Sequence, residues 1–226
     1  MNNIWFTSDT HFFHKKILEF CPTTRKGRDV QEMNLLMVEA WNSRVKPGDR
    51  VYHLGDFSFG KDNETRYILK ELNGAKHLVK GNHDGSAMLK SVGDLFESVS
   101  TYKTLRVADL TIVMMHFPIE SWDRMHHGSL HFHGHLHGDN HHACRVVKNR
   151  IDVGVDCRPQ KDMAPFHLDE VLDLIKKRNE QLDECETART RTAWRERGAH
   201  ESSPPKEAQR EPDGDRQLTC DSRGGV

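Results

Sequence analysis

Five short blocks of the sequence contain aspartate, asparagine and histidine side chains, which bind divalent metal ions or transfer protons. The blocks are SDTH at 8–11, LGDF at 54–57, GNHD at 81–84, MMHFP at 114–118 and GHLH at 134–137. Any one of them could be a helix cap, a turn or a buried histidine. The set of five, each following a strand-like run, instead indicates one shared site.

The donors in these blocks are carboxylate, amide and imidazole groups, without a thiolate. This donor set suits manganese, iron, zinc or nickel and differs from that of a thiolate-built structural zinc site. Two such ions about 3.5–4 Å apart can hold a phosphoryl group for in-line displacement. The blocks supply about as many donors as two such ions need.

Each block follows an apolar run that predicts a β-strand. The predicted strands are 3–8, 50–55, 76–81, 111–116 and 130–134, with a further one at 150–155 after the last block. Helices are predicted over 30–45, after Asp62 and from about Asp169, where apolar residues recur at helical spacing. Alternating strands and helices predict an α/β fold, in which ligands bind where strands end.

Composition limits the partners and the compartment. The chain of 226 residues carries 33 Lys and Arg against 34 Asp and Glu, so it has no strong signature of nucleic-acid binding. No run approaches the roughly 20 apolar residues of a membrane span. The five cysteines form no CxxC pair, and the first residues lack the apolar segment of a signal peptide. We therefore expect a cytoplasmic protein without membrane association, and the sequence does not indicate its oligomeric state.

The composition changes near residue 180. Beyond this point apolar residues become scarce, while charged residues, Pro, Gly and Ser become common. Such a segment buries too little apolar surface to offset the entropy of ordering it. We therefore predict one domain over 1–180 and a disordered charged tail over 181–226, with a helix continuing through Trp194 as the alternative.

The order D-x-H, G-D, G-N-H-D, H and G-H-x-H resembles that of the calcineurin-like metallophosphoesterase superfamily. The resemblance covers about residues 1–157 and is greatest to the small bacterial and phage proteins called predicted phosphoesterases or phosphohydrolases. It implies a four-layer αββα sandwich, with two mixed β-sheets flanked by helices and a dinuclear site at one edge of the sheets. The implied activity is metal-dependent hydrolysis of a small phosphomonoester or phosphodiester, with a nucleotide-like substrate favoured.

The resemblance also assigns roles to individual residues. One ion would be held by Asp9, His11, Asp56 and His137, and the other by Asp56, Asn82, His116 and His135. Asp56 would bridge two divalent ions, with manganese as the first expectation and iron, zinc or nickel as alternatives. A hydroxide between the ions would attack phosphorus in line. His83 would contact the phosphate and protonate the leaving oxygen, with Asp84 orienting it.

Further residues near the blocks could contact substrate. They are His14, Arg25, Arg28, Trp122 and His126. Arg25 and Arg28 would belong to an anion-binding lip in TTRKGRD, for which a solvated basic loop is the alternative. Asp152 and Asp156 could orient a ligand histidine from behind, or could satisfy only the end of their strand.

Three alternatives remain open from the sequence. A catalytically silent scaffold of the same fold would have lost ligands, whereas this chain carries all of them. A nuclease or a protein phosphatase of the superfamily is disfavoured by the missing capping region and by GDFSFG in place of GDxxDRG. The six histidines of 130–142 could also form a separate metal-storage loop. We expect instead that only His135 and His137 bind metal, that His131 and His133 lie in a strand, and that His141 and His142 face solvent.

Overall fold

The computed structural model describes residues 3–138 and 147–200, with side chains described as far as residue 185. The strands in this part of the chain are β1 Ile4–Thr7, β2 Arg50–His53, β3 Ala75–Val79, β4 Ser98–Ser100, β5 Tyr102–Val107, β6 Leu110–Met115, β7 Leu130–His133, β8 Arg150–Asp152 and β9 Phe166–His167. The α-helices are α1 Ile17–Phe20, α2 Val30–Arg44, α3 Asp62–Glu71, α4 Ser86–Val92 and α5 Leu168–His200.

The strands form two mixed sheets. The first has the order β4-β3-β2-β1-β9, with β1 to β4 parallel and β9 antiparallel to β1. The second has the order β5-β6-β7-β8, with β5 antiparallel to β6 and the other pairs parallel. This arrangement confirms the predicted α/β sandwich of two mixed sheets flanked by helices.

The alternation of side chains along the strands divides the core into two layers. Trp5 of β1 and Val51 of β2 pack with the buried residues of α2 and α3 on the outer face of the first sheet. Their neighbours Phe6 and Tyr52 point the other way and pack with residues of the second sheet, such as Phe132. The carboxyl ends of the parallel strands are thereby held side by side at one edge.

Helix α2 agrees closely with the predicted helix over 30–45. Asp29 caps it by accepting a hydrogen bond from the Glu32 N–H at 2.9 Å, which satisfies one free donor of the first turn. Met33, Met37 and Trp41 are its buried stripe. The helix positions the loop before it, which includes Arg25, against the first sheet.

Helix α5 extends beyond the boundary predicted from composition. The first of the two compact units of the chain ends at Asp183, whereas the helix continues to His200, as in the alternative of a helix that runs through Trp194. Glu, Gln, Arg and Ala have high intrinsic helix propensity and can continue a helix that no longer has an apolar stripe. The predicted tail from 201 to 226 lies outside the described residues.

None of the described helices combines the length and the apolar character that crossing a membrane requires. The described cysteines, Cys21, Cys157 and Cys185, are free thiols.

Candidate active site

The polar blocks lie immediately after the parallel strands of both sheets. Asp9 follows β1, Asp56 follows β2, and Asn82 follows β3, while His116 and His135 follow β6 and β7. Backbone hydrogen bonds join these loops, since the Asp9 N–H donates to the Gly55 carbonyl at 2.9 Å and the Gly134 N–H donates to the His116 carbonyl at 2.9 Å. The strand ends therefore bring residues from distant parts of the sequence to one edge.

Asp9, His11 and His137 form a first group of ligand atoms close enough to share one metal ion. The Nε2 atoms of His11 and His137 are 3.2 Å apart. Asp9 Oδ1 lies 3.9 Å from the first of these nitrogens and 3.8 Å from the second. A carboxylate and two imidazoles thus converge on one point.

Asp56, His116 and His135 form a second such group. Asp56 Oδ2 is 3.4 Å from His116 Nε2, and Asn82 Oδ1 is 3.1 Å from the same nitrogen. Asp56 Oδ2 is also 3.9 Å from His11 Nε2 in the first group. Asp56 therefore lies where one carboxylate can serve both groups.

Hydrogen bonds on the far side of two histidines fix which ring nitrogen faces the site. His116 Nδ1 donates to the Leu54 carbonyl at 2.7 Å, and His137 Nδ1 donates to Asp156 Oδ2 at 2.7 Å. Each ring, in its neutral form, then presents Nε2 with its lone pair toward the ligand group. The Asp156 contact raises the pKa of His137 to about 10 against the opposing effect of burial.

Asp9 and His11 of the first group have the charge states that fit a bound cation. Asp9 is fully buried, and its Oδ1 has no hydrogen-bond partner among the described residues. Burial raises the pKa of Asp9 to about 7, with the Asp152 carboxylate adding to the effect, while burial lowers the pKa of His11 to about 2. A divalent cation would satisfy the Asp9 oxygen and bind the neutral imidazole.

The first prediction concerns metal binding. Mn²⁺ at about 100 times its Kd should raise the free energy of unfolding by about 2.7 kcal/mol, because only the folded chain brings the ligand groups together. Urea unfolding with and without the ion measures this gain. Asp9→Asn should lose most of it, and an equal gain in this variant would contradict the assignment.

The backbone at the site is unusual at five of the predicted ligands. Asp9, His11, Asp56, His135 and His137 all have positive φ, between 46° and 75°. Side chains other than glycine rarely adopt this left-handed conformation, which costs on the order of 1 kcal/mol or more per residue. Such strain collects at functional sites, where the turn directs the side chain toward a shared point.

Two glycines of the blocks lie against carboxylate groups of other blocks. A Cβ on Gly81 of GNHD would lie 2.1 Å from Asp56 Oδ1, and one on Gly134 of GHLH would lie 2.4 Å from Asp9 Oδ2. Only glycine therefore lets these two carboxylates lie against the neighbouring loop.

Residues 3–154 match the model of the calcineurin-like phosphoesterase superfamily domain. The chain belongs to this superfamily. The predicted resemblance is therefore confirmed at the level of the family.

Similar proteins come from a phage and from microorganisms. The Gene 66 protein of Mycobacterium phage L5 is 30% identical over 209 residues, which cover 80% of this chain and 98% of that protein. The uncharacterized protein MJ1445 of Methanocaldococcus jannaschii is 30% identical over 182 residues, covering 78% and 93%. The crystal structure of AQ665, a protein of unknown function from Aquifex aeolicus, has a TM-score of 0.62 at 27% identity and covers 77% of this chain and 100% of that one.

In this calcineurin-like phosphoesterase, Arg25 does not form the predicted anion-binding lip. Its guanidinium is buried and donates to both carboxylate oxygens of Asp156, at 2.8 Å and 2.7 Å. It also donates to the backbone carbonyls of Asp9 and Thr10. Arg25 therefore supports the ligands Asp9 and His137 from behind, and Asp156 has the orienting role that was one of its two predicted alternatives.

Asp84 also differs from its expected role. Its carboxylate accepts hydrogen bonds from the backbone N–H groups of Asp56, Phe57 and Gly81, at 2.8 to 2.9 Å. The side chain is buried and so joins two ligand-bearing loops instead of orienting the His83 ring. The ring of His83 is 46% exposed, and its Nε2 lies 4.0 Å from Asp56 Oδ2.

The remaining predicted substrate contacts have different surroundings. The Trp122 indole is buried and donates to Ser129, so it offers no face for a substrate base. Arg28 is exposed and pairs with Glu32, and His126 lies on the exposed turn Met125–His127. Only His14 lies near the ligand groups, with its ring centroid 5.5 Å from that of His11.

Two further histidines of the 130–142 stretch have structural partners. His131 donates from Nδ1 to the Val113 carbonyl and accepts at Nε2 from the Ile119 N–H, and His133 donates to the Gly134 carbonyl. Burial lowers the pKa of the first to about 4 and of the second to about 3, so both rings are neutral. These partners disfavour the alternative of a metal-storage loop. His141 and His142 lie outside the described residues.

Proposed function

We propose that the protein is a metal-dependent phosphohydrolase that cleaves a small phosphomonoester or phosphodiester, with a nucleotide-like substrate favoured. The observation that carries the proposal is the pair of ligand groups linked by Asp56, with the exposed His83 beside them. The proposed cofactor is a pair of divalent ions, manganese first and iron, zinc or nickel as alternatives. A cytoplasmic setting fits the free thiols of the described cysteines.

The ligand residues would hold the ions as two sets, which are Asp9, His11, Asp56 and His137, and Asp56, Asn82, His116 and His135. When bound, the ions would lower the pKa of water and offset charge on the phosphoryl oxygens, as required for in-line hydrolysis. Asp156 and Leu54 keep the Nε2 atoms of His137 and His116 turned toward the ions. The protein thus fixes the orientation of the site before substrate binds.

His83 is the proposed proton donor to the leaving oxygen. Its backbone N–H donates to Asp56 Oδ1 at 2.8 Å, which fixes the start of the side chain relative to the bridging carboxylate. Its half-exposed ring can reach a phosphoester held at the ligand groups. A proton held at Nε2 would pass to the oxygen as its bond to phosphorus breaks.

His83→Ala tests this role and the activity together. The variant should lower kcat for an aryl phosphoester by about 10²-fold, the lower range for loss of a general acid. Bound metal should stay at the wild-type level, because His83 belongs to neither ligand set. His127→Ala, on the exposed turn Met125–His127, is the matched control. Turnover by His83→Ala equal to that of the control would overturn the assignment.

A substrate screen distinguishes the proposed activity from that of a nuclease or a protein phosphatase of the same superfamily. It would compare aryl mono- and diesters, nucleoside monophosphates, cyclic nucleotides, short oligonucleotides and a phosphopeptide with each metal. Preference for the oligonucleotide or the phosphopeptide would favour a nuclease or a protein phosphatase. Bound metal without turnover of any substrate would favour a scaffold.

A further inference from the structure

Phe59 exposes an aromatic ring next to the ligand groups. The ring is 43% exposed, and its centroid lies 4.8 Å from that of His83 and 5.3 Å from that of His11. Exposed apolar side chains are common, but this one is outside the two core clusters of the described residues and has ring contacts with both His83 and the ligand His11. Its surroundings are therefore those of a contact surface at the site.

A backbone hydrogen bond and a stacked ring hold Phe59 in place. Its backbone N–H donates to the Phe12 carbonyl at 2.8 Å, which ties the segment to the loop after β1. His14 stacks on it with a centroid distance of 4.2 Å and an interplanar angle of 17°. Phe20, 66% exposed, lies 6.1 Å beyond His14. These residues form a row of rings leading away from His83.

The position of His83 determines which part of a substrate would meet this row. If His83 protonates the leaving oxygen, the leaving group must lie on the His83 side of the phosphorus atom. Phe59 is the exposed ring in contact with His83. A flat leaving group there would stack on Phe59, an arrangement that adds to the affinity beyond simple burial of apolar surface.

We propose that Phe59, backed by His14, is a specificity-determining stacking face that makes the site prefer phosphoesters with an aromatic leaving group, an aryl or nucleoside group, over alkyl phosphoesters. This inference rests on the proposed function, because it takes the direction of the leaving group from the role of His83. Phe59 contributes to selection between substrates and takes no part in proton transfer.

Phe117 provides a matched control. It is also exposed, at 37%, and its ring contacts in the described residues are with His116 and His135, at 5.0 Å and 4.7 Å. It therefore lies beside the ligand groups without a ring contact to His83. Removal of either phenyl ring deletes the same apolar surface, but only Phe59 should affect the leaving group.

Binding of phosphonates tests the proposal without requiring turnover. Metal-loaded wild-type protein should bind phenylphosphonate about tenfold more tightly than methylphosphonate, as measured by calorimetry. Phe59→Ala should reduce this preference to about twofold or less, whereas Phe117→Ala should keep it. Phe59→Leu, which retains apolar volume without a flat face, should also lose most of it and covers the case in which the alanine variant fails to fold.

In the binding assay, the stacking face is overturned by an unchanged preference in Phe59→Ala and Phe59→Leu, or by loss of the preference in Phe117→Ala alone. Kinetics then separate this inference from the proposed function. The kcat/KM of the wild type is divided by that of Phe59→Ala, once for phenyl phosphate and once for ethyl phosphate. Each ratio compares two proteins on one ester, so the intrinsic reactivity of that ester cancels. Equal ratios would reject the stacking face and leave hydrolysis intact. Absence of wild-type turnover would reject hydrolysis, while the phosphonate preference would still report on Phe59.

Discussion

Asp56→Asn should lower kcat/KM for an aryl phosphoester by about 10³-fold, because metal stabilisation of the transition state is worth several kcal/mol and this carboxylate would serve both ligand groups. Asp56 Oδ2 lies 3.4 Å from His116 Nε2 and 3.9 Å from His11 Nε2. An amide keeps the shape of the side chain but removes the negative charge that would be shared by two cations. Metal content and kinetics should therefore fall together.

The control for this variant is Asp62→Asn, at the exposed first position of α3. It makes the same chemical change away from the site and should keep both metal and activity. Full metal content and wild-type turnover in Asp56→Asn would show that Asp56 is not the shared ligand.

Arg25→Met should lower the free energy of unfolding by about 3–5 kcal/mol, because it leaves the Asp156 carboxylate buried without its cationic partner. The side chains of Arg25 and Asp156 are 0% and 1% exposed and share two hydrogen bonds. Urea unfolding of the metal-free protein measures the loss. Arg28→Met is the control from the same loop, since that guanidinium is 89% exposed and its pairing with Glu32 is screened by water.

The double variant Arg25→Met, Asp156→Leu separates stability from metal binding. Removing both charges should recover part of the lost stability, as is common when a buried ion pair is replaced by apolar groups. The metal affinity of the double variant should be about 10- to 100-fold lower than that of the wild type, because His137 has lost the acceptor that orients its Nδ1. Recovery of metal affinity together with stability would show that Asp156 does not position His137.

The sequence could predict the ligand blocks because strand ends and side-chain chemistry are local features. Asp9, Asp56 and His116 each follow an apolar run, and parallel strands place such ends together whatever the loops between them do. Gly81 and Gly134, which precede Asn82 and His135, were visible in the sequence too. The need for glycine at these positions was not visible, because it comes from a carboxylate of a distant loop that lies against each of them.

The errors concern residues whose surroundings are set by tertiary contacts. Arg25 was expected at the surface because charged side chains are seldom buried, but Asp156, 131 residues away, neutralises it inside the fold. Trp122 was one candidate for a substrate contact, with a loop that covers the core as the alternative, and its buried indole N–H donates to Ser129. The sequence signal for the Arg25 contact was Asp156, for which the sequence left two roles open.

The division of the ligands between the two sheets has a consequence for folding. Asp9, His11, Asp56 and Asn82 belong to loops of the first sheet, whereas His116, His135 and His137 belong to the second. The contact between His11 and His137 joins residues 126 positions apart, so we expect the site to close late in folding. A chain emerging from the ribosome would hold an incomplete set of donors until both sheets had formed. Metal uptake should therefore follow the assembly of the sandwich and cannot nucleate it.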